Sequence, residues 1–314
     1  MKSPVLLVAW RRPELTRRVI ASIRTYAPDQ MYVACDGPNP QREGEVDSVN
    51  ETRRVIESEI DWPCKIYRRY SETNQGCRLG VSNAISWFFE NVNEGIIIED
   101  DCLPNVQFYN YCENLLNRYR DNDKVCCISG NNFQDGAWRS DGSYYFSRYN
   151  HCWGWASWRR AWSYYDANLD SWSAIRGTRR LQNIFSNPLE LEYWSLLCDS
   201  MLFNGGPDTW DIRWFIGCTI NERLTAIPNK NLVVNIGFGE GATHCSSYKL
   251  EMVAEHAVGA IDHPSCFLRH AAADEYTFRT VYLPTYARKQ SFVVRKFRNA
   301  LHKLKCRFAS IDHQ

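Results

Sequence analysis

The residues best suited to chemistry gather at Ile96-Ile97-Ile98-Glu99-Asp100-Asp101-Cys102-Leu103-Pro104, an apolar run ending in three successive acids. Adjacent carboxylates at the end of a buried strand repel one another and lose hydration, so a cation or hydrogen-bond donors must offset both costs. A divalent metal does this. Hard carboxylate oxygens favour Mn2+ or Mg2+, and one or two protein ligands leave positions for water and substrate phosphates. Acids in this place also suit capping of a helix expected from Phe108.

Several smaller groupings could join that centre. The first strand leaves Ala9 into Trp10-Arg11-Arg12-Pro13, which offers an aromatic face and two cations to a nucleoside diphosphate, or simply a solvated surface. Asp36, in Cys35-Asp36-Gly37-Pro38, suits a nucleobase or ribose, or an Asx-turn leaving the strand. In Asn74-Gln75-Gly76-Cys77-Arg78, Gly76 permits close backbone approach and Arg78 suits a phosphate; a plain loop-to-helix entry reads equally well.

Further along, Asp208-Thr209-Trp210-Asp211-Ile212-Arg213-Trp214 sets two acids beside tryptophans, where a raised pKa would suit a general base. Its structural alternative has Asp208 capping a helix from Trp210 to Cys218 and Asp211 pairing with Arg213. His244 follows the glycine-rich Gly237–Gly241 stretch and could complete a metal shell or be structural. Trp153, Trp155 and Trp210 are candidates for stacking on an acceptor sugar, against the commoner core role of such rings.

The elements that must position these residues read as α/β. Strands are expected at Val5–Ala9, Met31–Cys35, Cys64–Arg68, Gly95–Ile98 and Lys124–Ser129. Helices are expected at Glu14–Tyr26, Glu45–Ile60, Val81–Asn91 and Phe108–Tyr119. This alternation predicts a mostly parallel sheet flanked by helices, with Asp36 and the acidic triplet at carboxyl ends of strands, where ligands collect. After about residue 130 the chain turns aromatic-rich and irregular. One domain over 1–285 is expected, with a nucleotide-binding half (1–130), an acceptor or catalytic half (131–285) and a basic amphipathic tail (286–314).

Composition excludes some classes. With 314 residues, 44% hydrophobic and 23% charged, disorder is not the main feature. Thirteen cysteines follow no zinc or disulfide spacing. No apolar window reaches the length of a membrane span. A cytoplasmic enzyme without a nucleic-acid partner is expected. The tail carries eight lysines and arginines from Arg288 to Arg307 with Val293, Phe297, Leu301, Leu304 and Phe308 at helical spacing, which suits an anionic membrane surface or ordinary packing on the body.

Taken in order, Pro4–Pro13, Ala34–Pro38, Asn74–Asn83, Ile96–Pro104, His151–Trp158, Thr209–Trp214 and Asn229–His244 resemble GT-A glycosyltransferases. The nearer likeness is to a bacterial family-2-like group with features of the N-acetylglucosaminyltransferase I type. The resemblance implies a Rossmann-like nucleotide-sugar domain in which Glu99-Asp100-Asp101 stands for the DXD motif. Asp101 would bind Mn2+, Asp100 and Glu99 would face ribose and sugar, and Asp36 would lie near the base. Asp211 would be the base of an inverting transfer, and His244 would match a metal-binding histidine. The donor would be a UDP-hexose or UDP-N-acetylhexosamine, and the acceptor a glycan or lipid-linked glycan, as in polysaccharide or lipopolysaccharide synthesis. The triplet departs from a literal Asp-x-Asp. Rival readings are a sugar-nucleotide nucleotidyltransferase, whose glycine-rich phosphate loop is missing after the first strand, and a carbohydrate-binding protein, which needs no acidic triplet.

Overall fold

The computed structural model describes residues 2–237 and 260–284. His244 and the basic tail lie outside the described residues.

Continuous apolar strands buried on both faces build the centre of the sheet, as parallel strands covered by helices require. They are β1 (Val5–Ala9), β2 (Gln30–Cys35) and β4 (Glu94–Glu99); β3 (Lys65–Tyr70), with exposed lysine and arginines, forms one edge. Between them run α1 (Pro13–Tyr26), α2 (Glu45–Glu59) and α3 (Gly76–Asn91). Pro13 opens α1, where its missing N–H costs nothing, and Val19, Ile20, Ile23 and Tyr26 form the buried stripe. α3 starts five residues earlier than the expected Val81, because Gly76 adopts a φ of +78° that few other residues tolerate.

The chain continues through β5 (Cys102–Pro104), α4 (Val106–Arg118), β6 (Val125–Ser129), β7 (Tyr144–Ser147) and β8 (Trp155–Trp158). Asn105, not the acidic triplet, caps α4, its side chain accepting from Gln107 N and Phe108 N. Four helices follow, α5 (Arg159–Trp162), α6 (Asp170–Ile175), α7 (Arg179–Ile184) and α8 (Pro188–Phe203). The last elements are α9 (Asp211–Ile220), β9 (Leu224–Pro228), β10 (Val233–Asn235) and α10 (Ala271–Thr277), which runs into a π-helical turn over Phe278–Tyr282.

One eight-stranded sheet takes the order β3-β2-β1-β4-β8-β6-β9-β7, so it draws strands from both sides of residue 130. Strands β1 to β4, β6 and β9 run one way, and β8 and β7 run against them. This is the mostly parallel, helix-flanked, Rossmann-like α/β architecture expected of a GT-A fold. A two-stranded ribbon, β10 against β5, lies next to the acidic triplet. Among the described residues, no helix is long and apolar enough to cross a membrane.

The tryptophans of the second half assemble mostly into core. Trp155, Trp158, Trp162, Trp210 and Trp214 are buried, and Trp155 stacks on Trp210 with ring centroids 5.7 Å apart. This corrects the acceptor-binding expectation for Trp155 and Trp210, whose rings are consumed by packing between β8 and α9.

Candidate functional site

The site follows from strand register. Ala9 is level with Cys35 and Val8 with Glu99, so the three neighbouring parallel strands end together. Their next residues are tied across the ends: Asp36 N donates to Ala9 O at 3.0 Å and Asp100 N to Val8 O at 2.9 Å. Trp10 N donates to Asp100 Oδ2 at 3.0 Å, and Trp10 Nε1 to Gly37 O at 3.0 Å. Above this rim opens a cleft of about 430 Å3, lined by Ala9, Trp10, Asp36, Gly76, Glu99, Asp100, Asp101, Trp153 and Asp208. That volume suits a nucleotide-sized ligand.

The acids at the floor are held at an electrostatic cost. Burial, together with Asp101, pushes the Asp100 carboxyl up to about 7. Burial raises Glu99 well above the usual carboxylate range, with Asp101, Asp100 and Asp211 adding to the effect. Arg12 supplies the opposing charge: its Nη1 lies 2.6 Å from Asp101 Oδ2 and 3.5 Å from Asp100 Oδ1. Among the described residues, Arg12 is the cation paired with the triplet, and a divalent cation would relieve the remaining repulsion between its acids.

The donor set fits such an ion bound in the open manner. Among the described residues, no three carboxylate, histidine or cysteine side chains converge as a metal cage. Within the triplet, Asp101 is more open than Asp100, its side chain 18% exposed against 8%. A cation there would take Asp101 and oxygens from water and diphosphate, as Mg2+ and Mn2+ commonly do. The β10–β5 ribbon brings another segment to the same point. Ile236 N donates to Asp101 O at 2.7 Å, and a Cβ on Gly237 would lie only 2.5 Å from Asp101 Oδ2. His244 lies seven residues beyond Gly237, outside the described residues.

Asp36 takes the structural part of its two readings while still lining the cleft. Its carboxylate accepts from Gly37 N at 2.8 Å and from Gln75 N at 3.0 Å, tying the end of β2 to the entry of α3. Burial raises its pKa against the pull of these bonds. Asp208 approaches the same helix end. Arg78 Nε donates to Asp208 Oδ1 at 2.6 Å, and a Cβ on Gly76 would lie 3.5 Å from Asp208 Oδ2.

Asp211 does not line the cleft. It is exposed in the first turn of α9 and accepts a hydrogen bond from the Thr209 hydroxyl rather than pairing with Arg213, which donates to Ala167 O and Thr209 O. Its charge nonetheless reaches the cleft: Cys77, pushed up to about 12 mainly by burial, also feels Glu99, Asp211 and Asp208. Acids 99, 208 and 211 therefore surround one region.

Arg11 is a correction to the expected donor-binding set. It pairs with buried Glu45 at 2.9 Å and lies 4.3 Å over the Trp10 ring, outside the cleft lining, because the carboxylate at the start of α2 needs a counter-charge. Arg12 faces the cleft instead. Asn74 and Cys77, from the expected Asn74–Arg78 grouping, line it as well, together with Arg42, Arg69 and Asn235, which were not among the expected site residues. The position of Arg69 near the end of β3 was a signal for it, since that strand ends beside β2.

No protein-family profile matches the chain, and no curated protein does. Among solved structures, the chain is similar to residues 1–349 of S. aureus TarS over 74% of its length, with 8% identity and a TM-score of 0.39. The chain spans 59% of that TarS chain. HddC from Yersinia pseudotuberculosis is similar over 50% of this chain and 77% of its own, with 9% identity and a TM-score of 0.30. A 4-diphosphocytidyl-2C-methyl-D-erythritol synthase from Anaerococcus prevotii is similar over 59% of this chain and 85% of its own, with 9% identity and a TM-score of 0.31. Similarity this low leaves the fold resting on the strand order above, and the site on its own geometry.

Proposed function

We propose that the protein is a metal-dependent glycosyltransferase that moves a sugar from a nucleoside diphosphate to a hydroxyl of a glycan or lipid-linked glycan. The observation that carries this reading is the cleft at the ends of β1, β2 and β4, with carboxylates on its floor and cations and a helix N-terminus at its sides. That arrangement suits a ligand with a polyol, a diphosphate and a bound cation.

In the proposed reaction, Asp211 takes the proton from an acceptor hydroxyl. The freed oxygen attacks the anomeric carbon of the donor, and the bond to the diphosphate oxygen breaks, inverting that carbon. Arg12 lines the cleft, and Arg78, held by Asp208 at the start of α3, lies outside the lining beside it; in this reading the two guanidiniums meet the departing diphosphate. Trp153, which meets Phe133 edge-on at 5.3 Å, is the tryptophan of the expected acceptor set that reaches the cleft. A divalent cation at Asp101, with His244 as a further ligand, would supply Lewis-acid stabilisation of the leaving group. UDP with a hexose or N-acetylhexosamine is the proposed donor.

A thermal-shift screen with nucleoside diphosphates and nucleotide sugars, with and without Mn2+, tests this reading. A rise for one nucleotide that needs Mn2+ and is lost in Asp101→Ala supports it. A rise only with free glycans, independent of metal, would move the protein to carbohydrate binding; a rise with a nucleoside triphosphate and sugar phosphate would move it to nucleotidyl transfer.

A further inference from the structure

A second cavity, of about 110 Å3, opens on the same edge of the sheet as the cleft, with walls that include Asn110, Tyr111, Trp138, Ser143, Leu232 and Ile261. β9 runs parallel to β1 and β4, so its carboxyl end at Pro228, also on the wall, shares the edge that carries Asp36 and the acidic triplet. In the order β4-β8-β6-β9 it stands three strands from β4, roughly 14 Å at about 4.8 Å between neighbouring strands. β10 joins the two places. Leu232, one residue before that strand, lines the second cavity, and Asn235, its last residue, lines the cleft.

The chemistry of these walls suits a polyol. Trp138 is 52% exposed, yet its backbone neighbours are tied down: Ala137 N donates to Gln134 O at 2.9 Å and Arg139 N to Asn229 Oδ1 at 2.8 Å. An indole held open in this way offers a flat apolar face to one side of a sugar ring. Tyr111 is buried, and its hydroxyl has no hydrogen-bond partner. Such a group carries its desolvation cost uncompensated until an oxygen of water or ligand meets it. Exposed Asn110 adds an amide donor and acceptor. The wall at Ser143 is fixed in advance, since Asp262 N donates to Ser143 Oγ at 2.9 Å and Ser143 N to Asp262 O at 2.7 Å. Far smaller than the cleft of about 430 Å3, the cavity suits one sugar ring rather than a nucleotide.

We propose that this cavity is a saccharide subsite, where a sugar remote from the reacting hydroxyl stacks on Trp138 and bonds to Asn110 and the Tyr111 hydroxyl. That the sugar belongs to an acceptor glycan several units long rests on the glycosyl-transfer reading above; that a sugar binds at Trp138 rests on the cavity alone. A glycan spanning both places follows β10 for about 10 Å from Leu232 to Asn235. Its two contacts are linked, so each raises the effective concentration for the other, and long acceptors gain affinity that short ones lack.

Isothermal titration calorimetry of the full chain with maltotetraose, cellotetraose and chitotetraose, without nucleotide or metal, tests the subsite. At least one of these sugars should bind. Trp138→Ala should weaken that binding about tenfold, and Tyr111→Phe severalfold. Tyr111→Phe removes a hydroxyl that bonds to nothing in the fold, so its thermal midpoint should not fall, which separates a ligand contact from a packing role. Unchanged affinity in either variant, or no binding of any of these sugars, overturns the proposal. Neither result touches the Mn2+-dependent nucleotide shift, which tests glycosyl transfer by itself. Conversely, sugar binding that depends on Trp138, with no nucleotide shift, would keep the subsite and remove the transferase.

Discussion

Arg12 Nη1 lies 2.6 Å from Asp101 Oδ2, so the protein places its own cation against an acid of the cleft floor. The same guanidinium is 3.5 Å from Asp100 Oδ1 and thereby offsets part of the repulsion within the triplet. Removing it leaves mostly buried carboxylates without their partner. Arg12→Gln is expected to lower stability by about 1–3 kcal/mol. Under the proposed function, Mn2+ together with a nucleoside diphosphate should restore part of that loss. Urea unfolding with and without these ligands measures both effects.

The triplet also sets a pH dependence. With the Asp100 carboxyl at about 7 in the fold and 3.8 as its ordinary value, the folded state holds a proton that the unfolded state releases between those two values. This group's contribution to stability therefore falls as pH rises from about 4 to about 7, then levels off. Asp100→Asn retains an acceptor for Trp10 N and removes the titration. It should flatten the pH profile in that window and, at pH 8 without metal, be more stable than the parent by about 1–3 kcal/mol. Thermal melts across the range check this; an unchanged slope would place the titration on another acid.

Asp211 and Asp208 separate by partner. Among the described residues, Asp211 accepts a hydrogen bond from the neutral Thr209 hydroxyl, while Asp208 is committed to Arg78. Asp211→Asn is expected to slow transfer roughly a hundredfold to ten-thousandfold with donor affinity retained. Asp208→Asn should weaken donor binding through the released Arg78. Steady-state kinetics with direct binding of the nucleotide distinguish the two, and near-normal turnover in Asp211→Asn would move the base elsewhere.

The tryptophans divide between packing and the cleft. Trp155 is fully buried, so Trp155→Ala should cost about 3–5 kcal/mol whatever the ligand. Trp153 lines the cleft, and Trp153→Ala should act on acceptor affinity more than on stability. Denaturation and acceptor titration of both variants provide the comparison.

The sequence by itself determined the parallel half of the fold. Runs such as Val5–Ala9 and Gly95–Ile98 are apolar on both faces, and strands covered on both sides bury such runs. Glu99, Asp100 and Asp101 were legible as a centre because three adjacent acids after such a run are costly without a purpose. Only the tertiary structure decided between neighbours of like type. Arg11 turned to Glu45 and Arg12 to Asp101, and Trp155 went to the core while Trp153 reached the cleft. Adjacent residues of one kind carry no local signal for direction. Which of them meets the site depends on partners 34 and 89 positions away, brought into range by strand order and helix packing.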